Sequence, residues 1–192
     1  MTLLLLGIAI FLGVHLIPAL PGVREQLIER FGRNLYRGLF SLVSALGFVL
    51  IVWGFARAPF LQVWVPPSWT RHVAMLLMLP VFVLIIAAYL PGRIKQTVKH
   101  PFLVAIKTWA LAHLIANGDL ASMVLFGSFL AYAVIDRIAL KHRPAAGLIT
   151  VGGAPDSPRN DIIAVVGGLV FYAIFLVWLH PLLIGVPVLR GS

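Results

Sequence analysis

The sequence predicts an all-α fold, a polytopic transmembrane helix bundle of about six spans. Three observations carry this reading. Apolar residues make up 61% of the chain and charged residues 11%, where soluble domains carry about 25% charged residues. Mean hydropathy is +1.02. The apolar stretches come in lengths near 20 residues, the length an α-helix needs to cross the hydrocarbon core of a bilayer. The apolar/polar alternation of transmembrane β-strands is absent. The 192 residues leave no room for a separate soluble domain, so residues 1–192 are read as a single transmembrane domain.

The spans fall near 2–20, 37–56, 71–90, 101–117, 120–138 and 161–181. The first lacks the basic start of a signal peptide and is read as retained; Pro18 and Pro21 kink or end it. Arg24, Glu25, Glu29, Arg30 and Arg33 follow, with Glu29 and Arg33 at the i,i+4 spacing of a short interfacial helix. The second span carries Gly38, Ser41, Ser44, Ala45 and Gly47, small residues that let helices approach closely. Trp53, Trp64 and Trp69 surround the next connection, as interface anchors do. Pro80 predicts a local kink in the third span. The fourth opens with Pro101 in the first turn and His100 at the cap. Asn117-Gly118 should stop it, with Gly118 in the left-handed conformation. Asp119 should cap the fifth span. Asp136 opposes the helix dipole at the far end of that span, which predicts a nearby Arg partner. Residues 141–160, rich in Gly and Pro, read as an irregular loop.

The net charge of +9 does not point to nucleic acid, because the cations lie in short loops between apolar spans and no aromatic-basic recognition module is present. They set topology instead. One side holds Arg24, Arg30, Arg33, Arg37, Arg93, Lys95, Lys99, Arg137, Lys141, Arg143 and Arg159; the other holds Arg57, Arg71 and Arg190. The positive-inside rule then places both termini away from the cytoplasm.

Ionisable residues inside a span are costly and are functional candidates by default. The fourth span has two, Lys107 and His113, and Trp109, His113 and Asn117 share one helix face by i,i+4 spacing. His72 and His142 read as solvated or interfacial, whereas His15, His100, His113 and His180 lie within or at the ends of spans. The chain has no cysteine, which excludes disulfides, iron–sulfur ligation and covalent haem attachment. Carboxylates are nearly absent from the spans, which argues against hard-cation and di-iron sites. No phosphate-binding Gly loop and no G-x-S-x-G or H-E-x-x-H motif occurs. An imidazole-ligated haem is the chemistry these residues suit best. Depth in the membrane pairs His15 with His100, or His113 with His180. Arg24, Arg93, Lys95 and Lys99 form an electropositive rim at the cytoplasmic border; they set topology and offer contacts to haem propionates or anionic headgroups.

The segments LYRGLFSLVSALGFVLIVWGFARAP, YLPGRIKQTVKHPFLVAIKTWALAHLIANGDLASMVLFGSFLAYAVIDR and VVGGLVFYAIFLVWLHPLLIGV, with the HP-x(11)-H-x(3)-NGD pattern from His100 to Asp119, resemble the NnrU family of bacterial membrane proteins. The resemblance implies a role around denitrification, linked to nitrite and nitric oxide reductase activity, with components of the nitrogen-oxide reductase system as partners besides the lipid bilayer. The same domain resembles that of plant zeta-carotene isomerase, which depends on non-covalent haem b. That resemblance implies haem b here, with His15 and His113 as axial ligands. A metal-bound imidazole needs neighbours that orient it, and the candidates around His113 are Lys107, Trp109 and Asn117. The isomerase has a cysteine where this chain has Ala110, so the implied ligand switch and the isomerase reaction do not carry over directly. The His-Pro start of the fourth span faintly resembles membrane methyltransferases and sterol reductases, whose paired acidic residues are missing. Three functions follow as expectations: a haem-binding component supporting nitrogen-oxide respiration, a haem-dependent isomerase of a polyene or other lipid, or a non-catalytic assembly factor for membrane reductases. The residues name no reaction.

Overall fold

The computed structural model describes residues 1–20, 22–142 and 157–189, the side chains of Lys141 and His142 excepted. The expectations for Pro21, the loop at 143–156, Arg190 and the side chain of His142 lie outside the described residues. The described chain is helical, and the helices run α1 (Thr2–Leu16), α2 (Val23–Phe31), α3 (Arg33–Ala56), α4 (Thr70–Tyr89), α5 (Arg93–Val98), α6 (Pro101–Ala116), α7 (Leu120–His142), α8 (Pro158–Ile174) and α9 (His180–Ile184). A π-helical stretch, Phe175–Leu179, joins α8 to α9 without a break. Five helical segments are long and apolar enough to span a membrane, and α6 is a shorter apolar sixth. The six spans expected from composition are therefore present as helices, the last of them running on to Ile184.

The six long helices pack as a row rather than a closed ring. α3 packs on α1, α1 on α7, α7 on α6, α6 on α4 and α4 on α8. One buried cluster joins α1, α3, α6 and α7 through Leu4, Ile8, Leu12, Ile51, Ala110 and Phe126. A second joins α4 and α6 through Val81, Leu84 and Ala105. Trp109 touches both clusters, so α6 is the hinge between two halves of the row. The first half is drawn together by glycine. A Cβ on Gly7 would come within 2.5 Å of the Ile51 nitrogen, and one on Gly54 would strike the Leu4 backbone. Gly47 does the same against Phe11, as its small size suggested, whereas Gly38 faces open space. Small residues let backbones meet where lipid gives no hydrophobic drive.

Local expectations fare unevenly. Pro101 occupies the first turn of α6 and His100 its cap position. Asp119 caps α7, its Oδ1 accepting from the Ser122 N–H at 2.9 Å. Gly118 departs from expectation: among the described residues the glycines of positive φ are Gly22, Gly32 and Gly185. Gly118 is needed for space, since a Cβ there would run into the Trp64 carbonyl. Its own carbonyl accepts from the N–H groups of Val63 and Trp64, at 2.8 and 3.2 Å. The α3–α4 connection is thereby fastened to the α6–α7 hairpin. Glu29 and Arg33 do not share a helix, because Gly32 ends α2 at a φ of 78° before α3 begins at Arg33. Asp136 makes no ion pair among the described residues, whereas Arg24 pairs with Glu25 at 3.6 Å.

Candidate functional site

α4 packs against both α6 and α8, and the space above it between α6 and α8 is an apolar cavity of about 460 Å³. That lies within the roughly 300–1,000 Å³ of small-molecule sites. It is lined along α6 from Phe102 to Asn117, a length of about 22 Å at 1.5 Å per residue. It is an elongated groove with α4 as its floor. The turn after α9 closes one end. Gly185 adopts a φ of 80°, which favours glycine, and Val186, Pro187 and Val188 then line the cavity.

Two of the four candidate histidines line this cavity, His113 and His180. Each has its Nδ1 on a backbone carbonyl: His113 on Trp109 O at 2.8 Å and His180 on Val186 O at 2.7 Å. A carbonyl only accepts, so Nδ1 carries the proton and a neutral ring keeps the Nε2 lone pair for a ligand. This is the arrangement that usually fixes a metal-binding imidazole. Asn117, at the end of α6, donates through Nδ2 to the His113 carbonyl at 2.8 Å. Trp109 lies beside the His113 ring, with ring centres 5.4 Å apart. The i,i+4 face of Trp109, His113 and Asn117 expected from spacing is therefore one wall of the cavity.

His180 reaches this wall through the π-helical stretch. Pro181 has no N–H to give the preceding turn, which leaves a carbonyl free and favours a local change of register. Phe175 and Leu176 of that stretch also line the cavity. Such insertions recur at functional sites. The His-Pro pair was the one signal of it in the sequence.

His15 lies elsewhere. Its Nδ1 is held by Phe11 O at 2.7 Å, the same device, but its ring packs among Phe11, Phe40 and Tyr132 at centre distances of 4.3, 5.1 and 6.3 Å. It lines no part of the cavity. Rings fill the interval to His113: Phe11 meets Phe129, Phe129 meets Trp109, and Trp109 meets His113. His113 stacks on Phe126 while His15 sits against Tyr132, six residues on along α7, or about 9 Å of rise. The structure does not bring His15 and His113 to one open space.

The remaining candidates sit at the opposite end from Asn117. His100 precedes α6 and lies near Arg137, Asp136 and Lys99; partial burial first, then the Arg137 cation, hold its imidazole below the ordinary value. Lys95 donates to the Ala88 carbonyl at 2.8 Å. Arg93 and Ile94 give their N–H groups to the Asp161 carboxylate, at 3.0 and 3.1 Å. Lys99 is exposed at a φ of 63°, and Arg24 is exposed beside Glu25. None of these, nor the half-buried Lys107, lines the cavity. Among the described residues no cluster of three or more His, Cys, Asp or Glu side chains forms a metal cage.

The residue that sequence reasoning missed is Arg71. It lines the cavity from the first turn of α4, and its Nε is buried without a hydrogen-bond partner. In the sequence it was one of three cations on the less basic side and carried no other signal.

Helices of this length and apolarity define a multi-pass integral membrane protein, and the groove between them carries two imidazoles held at Nδ1. The family model described as NnrU protein matches residues 3–188. The chain belongs to the NnrU family. Neither the curated proteins nor the solved structures contain a match to it.

Proposed function

We propose that this chain is a b-type haem protein of the bacterial inner membrane that supports nitrogen-oxide respiration, with His113 and His180 as the iron ligands. One observation carries the reading: both imidazoles border one apolar cavity with Nδ1 held by a carbonyl and Nε2 left to bind. The donor set suits the group. Two neutral imidazoles meet a haem iron without thiolate or carboxylate, and the other lining residues are mainly apolar. When bound, haem would supply redox and diatomic-gas chemistry; the chain would hold the ligand rings, exclude water and orient the His113 ring through the Trp109 carbonyl. Membership of the NnrU family supports the respiratory context. The uneven Lys and Arg distribution supports the orientation in which His113, His180 and Arg71 lie toward the periplasmic end.

Choosing His180 over the His15 implied by resemblance rests on the rings that separate His15 from His113. Absorption and electron paramagnetic resonance spectra of the haem-loaded protein in detergent test it. His113→Ala and His180→Ala should each convert a low-spin signal to high-spin or lose haem, while His15→Ala keeps the wild-type spectrum. The reverse result for His180 and His15 restores the other pair. A wild-type protein that takes up no haem overturns the proposal and favours the assembly-factor reading.

The length of the groove supports a second reading, a haem-dependent isomerase of an elongated polyene. Ala110, where the plant isomerase carries its cysteine, is fully buried in the cluster with Leu4 and Phe126 and does not line the cavity. Any isomerase activity here therefore works without a thiol at that position. Incubation of the haem-loaded protein with cis-polyenes, read by chromatography, decides between the two.

A further inference from the structure

We infer that Arg71 is the anchor for a carboxylate on the molecule that occupies the cavity, so that the site selects an acidic amphiphile over its neutral ester. The inference deepens the haem reading, in which the carboxylate is a propionate.

The polar side chains around the cavity divide sharply. His113 donates to Trp109 O, His180 to Val186 O, Asn117 to His113 O and the Tyr172 hydroxyl to Met75 O at 3.0 Å. Each of these has a backbone carbonyl as partner. Among the described residues Arg71 is the one charged side chain lining the cavity, and its Nε is buried with no partner. An unsatisfied buried donor costs free energy, more so on a charged group. Among the described residues no carboxylate lines the cavity to answer it. A planar guanidinium with an idle donor in an apolar setting matches a carboxylate, which takes two parallel N–H bonds in a fork. Arg71 sits in the first turn of α4, so an acid group there would lie near the membrane surface while the apolar body runs down the groove. The four cations expected to meet propionates, Arg24, Arg93, Lys95 and Lys99, line no part of the cavity; Arg71 replaces them in that role.

The test compares haem b with haem dimethyl ester, titrated into purified wild-type, Arg71→Ala and Arg71→Lys proteins. Wild type should bind haem b about tenfold more tightly than the diester, the factor given by roughly 1.4 kcal/mol. Arg71→Ala should lose that preference while still binding the diester as wild type does. Arg71→Lys keeps the charge without the fork and should retain part of it. Equal affinity of the wild type for acid and ester, or a preference that survives Arg71→Ala, overturns the assignment. If the wild type binds neither haem, the haem reading fails on its own. Palmitic acid and its methyl ester then replace the two haems in the same three proteins. An acid preference lost in Arg71→Ala sustains Arg71 as an anchor for a lipid carboxylate; its absence, or no binding of either, overturns it.

Discussion

The two halves of the helix row treat the same side chain differently. In the half built from α1, α3 and α7, His15 is tied to the carbonyl four residues earlier and then packed on Phe11, Phe40 and Tyr132. In the half built from α4, α6 and α8, His113 is tied to its own i−4 carbonyl in the same way but borders a cavity of about 460 Å³. Fixing a tautomer is thus not enough to make a site. What separates the two is whether a cavity reaches the ring: the first half also holds a cavity, of about 430 Å³ between α1, α2 and α3, but His15 does not line it. Gly7, Gly47 and Gly54 bring α1 and α3 into direct contact. In the other half Gly168 seats α8 against Val83 of α4, but no such pair joins α6 to α8, and space remains.

The largest expected effect breaks the packed half. Gly54→Val places a side chain in the Leu4 backbone and should destabilise the protein by about 3 kcal/mol or more, read by unfolding in graded SDS. Gly127→Val, with nothing within 4 Å of its Cβ position, is the control and should stay within about 1 kcal/mol. Next, His15→Ala should lower stability by about 1–2 kcal/mol through lost ring contacts, while leaving ligand affinity unchanged. His113→Ala should lower haem affinity in addition to losing its own ring contacts with Phe126 and Trp109, so ligand affinity is the readout that separates the two variants. Loss of affinity in both variants would erase the functional distinction between the halves. A smaller effect probes the hairpin they share: Asp119→Ala removes the cap on Ser122 and should cost about 1 kcal/mol.

The smallest effect concerns pH. His100 has a folded value below its unfolded one, through partial burial and the Arg137 cation, with Asp136 opposing. Its contribution to stability is therefore full above pH 6.5 and lost as the pH falls through the depressed value. His100→Gln should flatten the acid side of the stability profile and leave stability at pH 8 nearly unchanged.

Much of this architecture was legible in the sequence, and the reasons differ by residue. The boundaries of α6 follow from Pro101 and Asn117, and the start of α7 from Asp119, because these residues act on their own backbone or the next turn. The face of Trp109, His113 and Asn117 follows from helical period alone. Gly118 was assigned the wrong reason, since spacing reveals a turn but not the Trp64 carbonyl pressed against it. Depth in the membrane offered His113 with His180 as one of two pairings; that both border one cavity rests on a register change at Phe175–Leu179 and a turn at Gly185, neither of which a regular helical repeat contains. Arg71 was invisible because its interest lies in the partner it lacks.

The groove has α4 as its floor and two membrane-spanning helices, α6 and α8, as its banks. An occupant can then arrive sideways, by two-dimensional diffusion within the leaflet, without first crossing water. Occupancy then follows the mole fraction of the ligand in the bilayer, not its aqueous concentration. An affinity measured in detergent will scale with the amount of micellar phase, and rankings of hydrophobic ligands will track partition coefficients unless each is referred to the same lipid volume. Two ligands that differ tenfold in apparent affinity in micelles can be equal competitors in nanodiscs, and only the second comparison reports what the cavity itself discriminates.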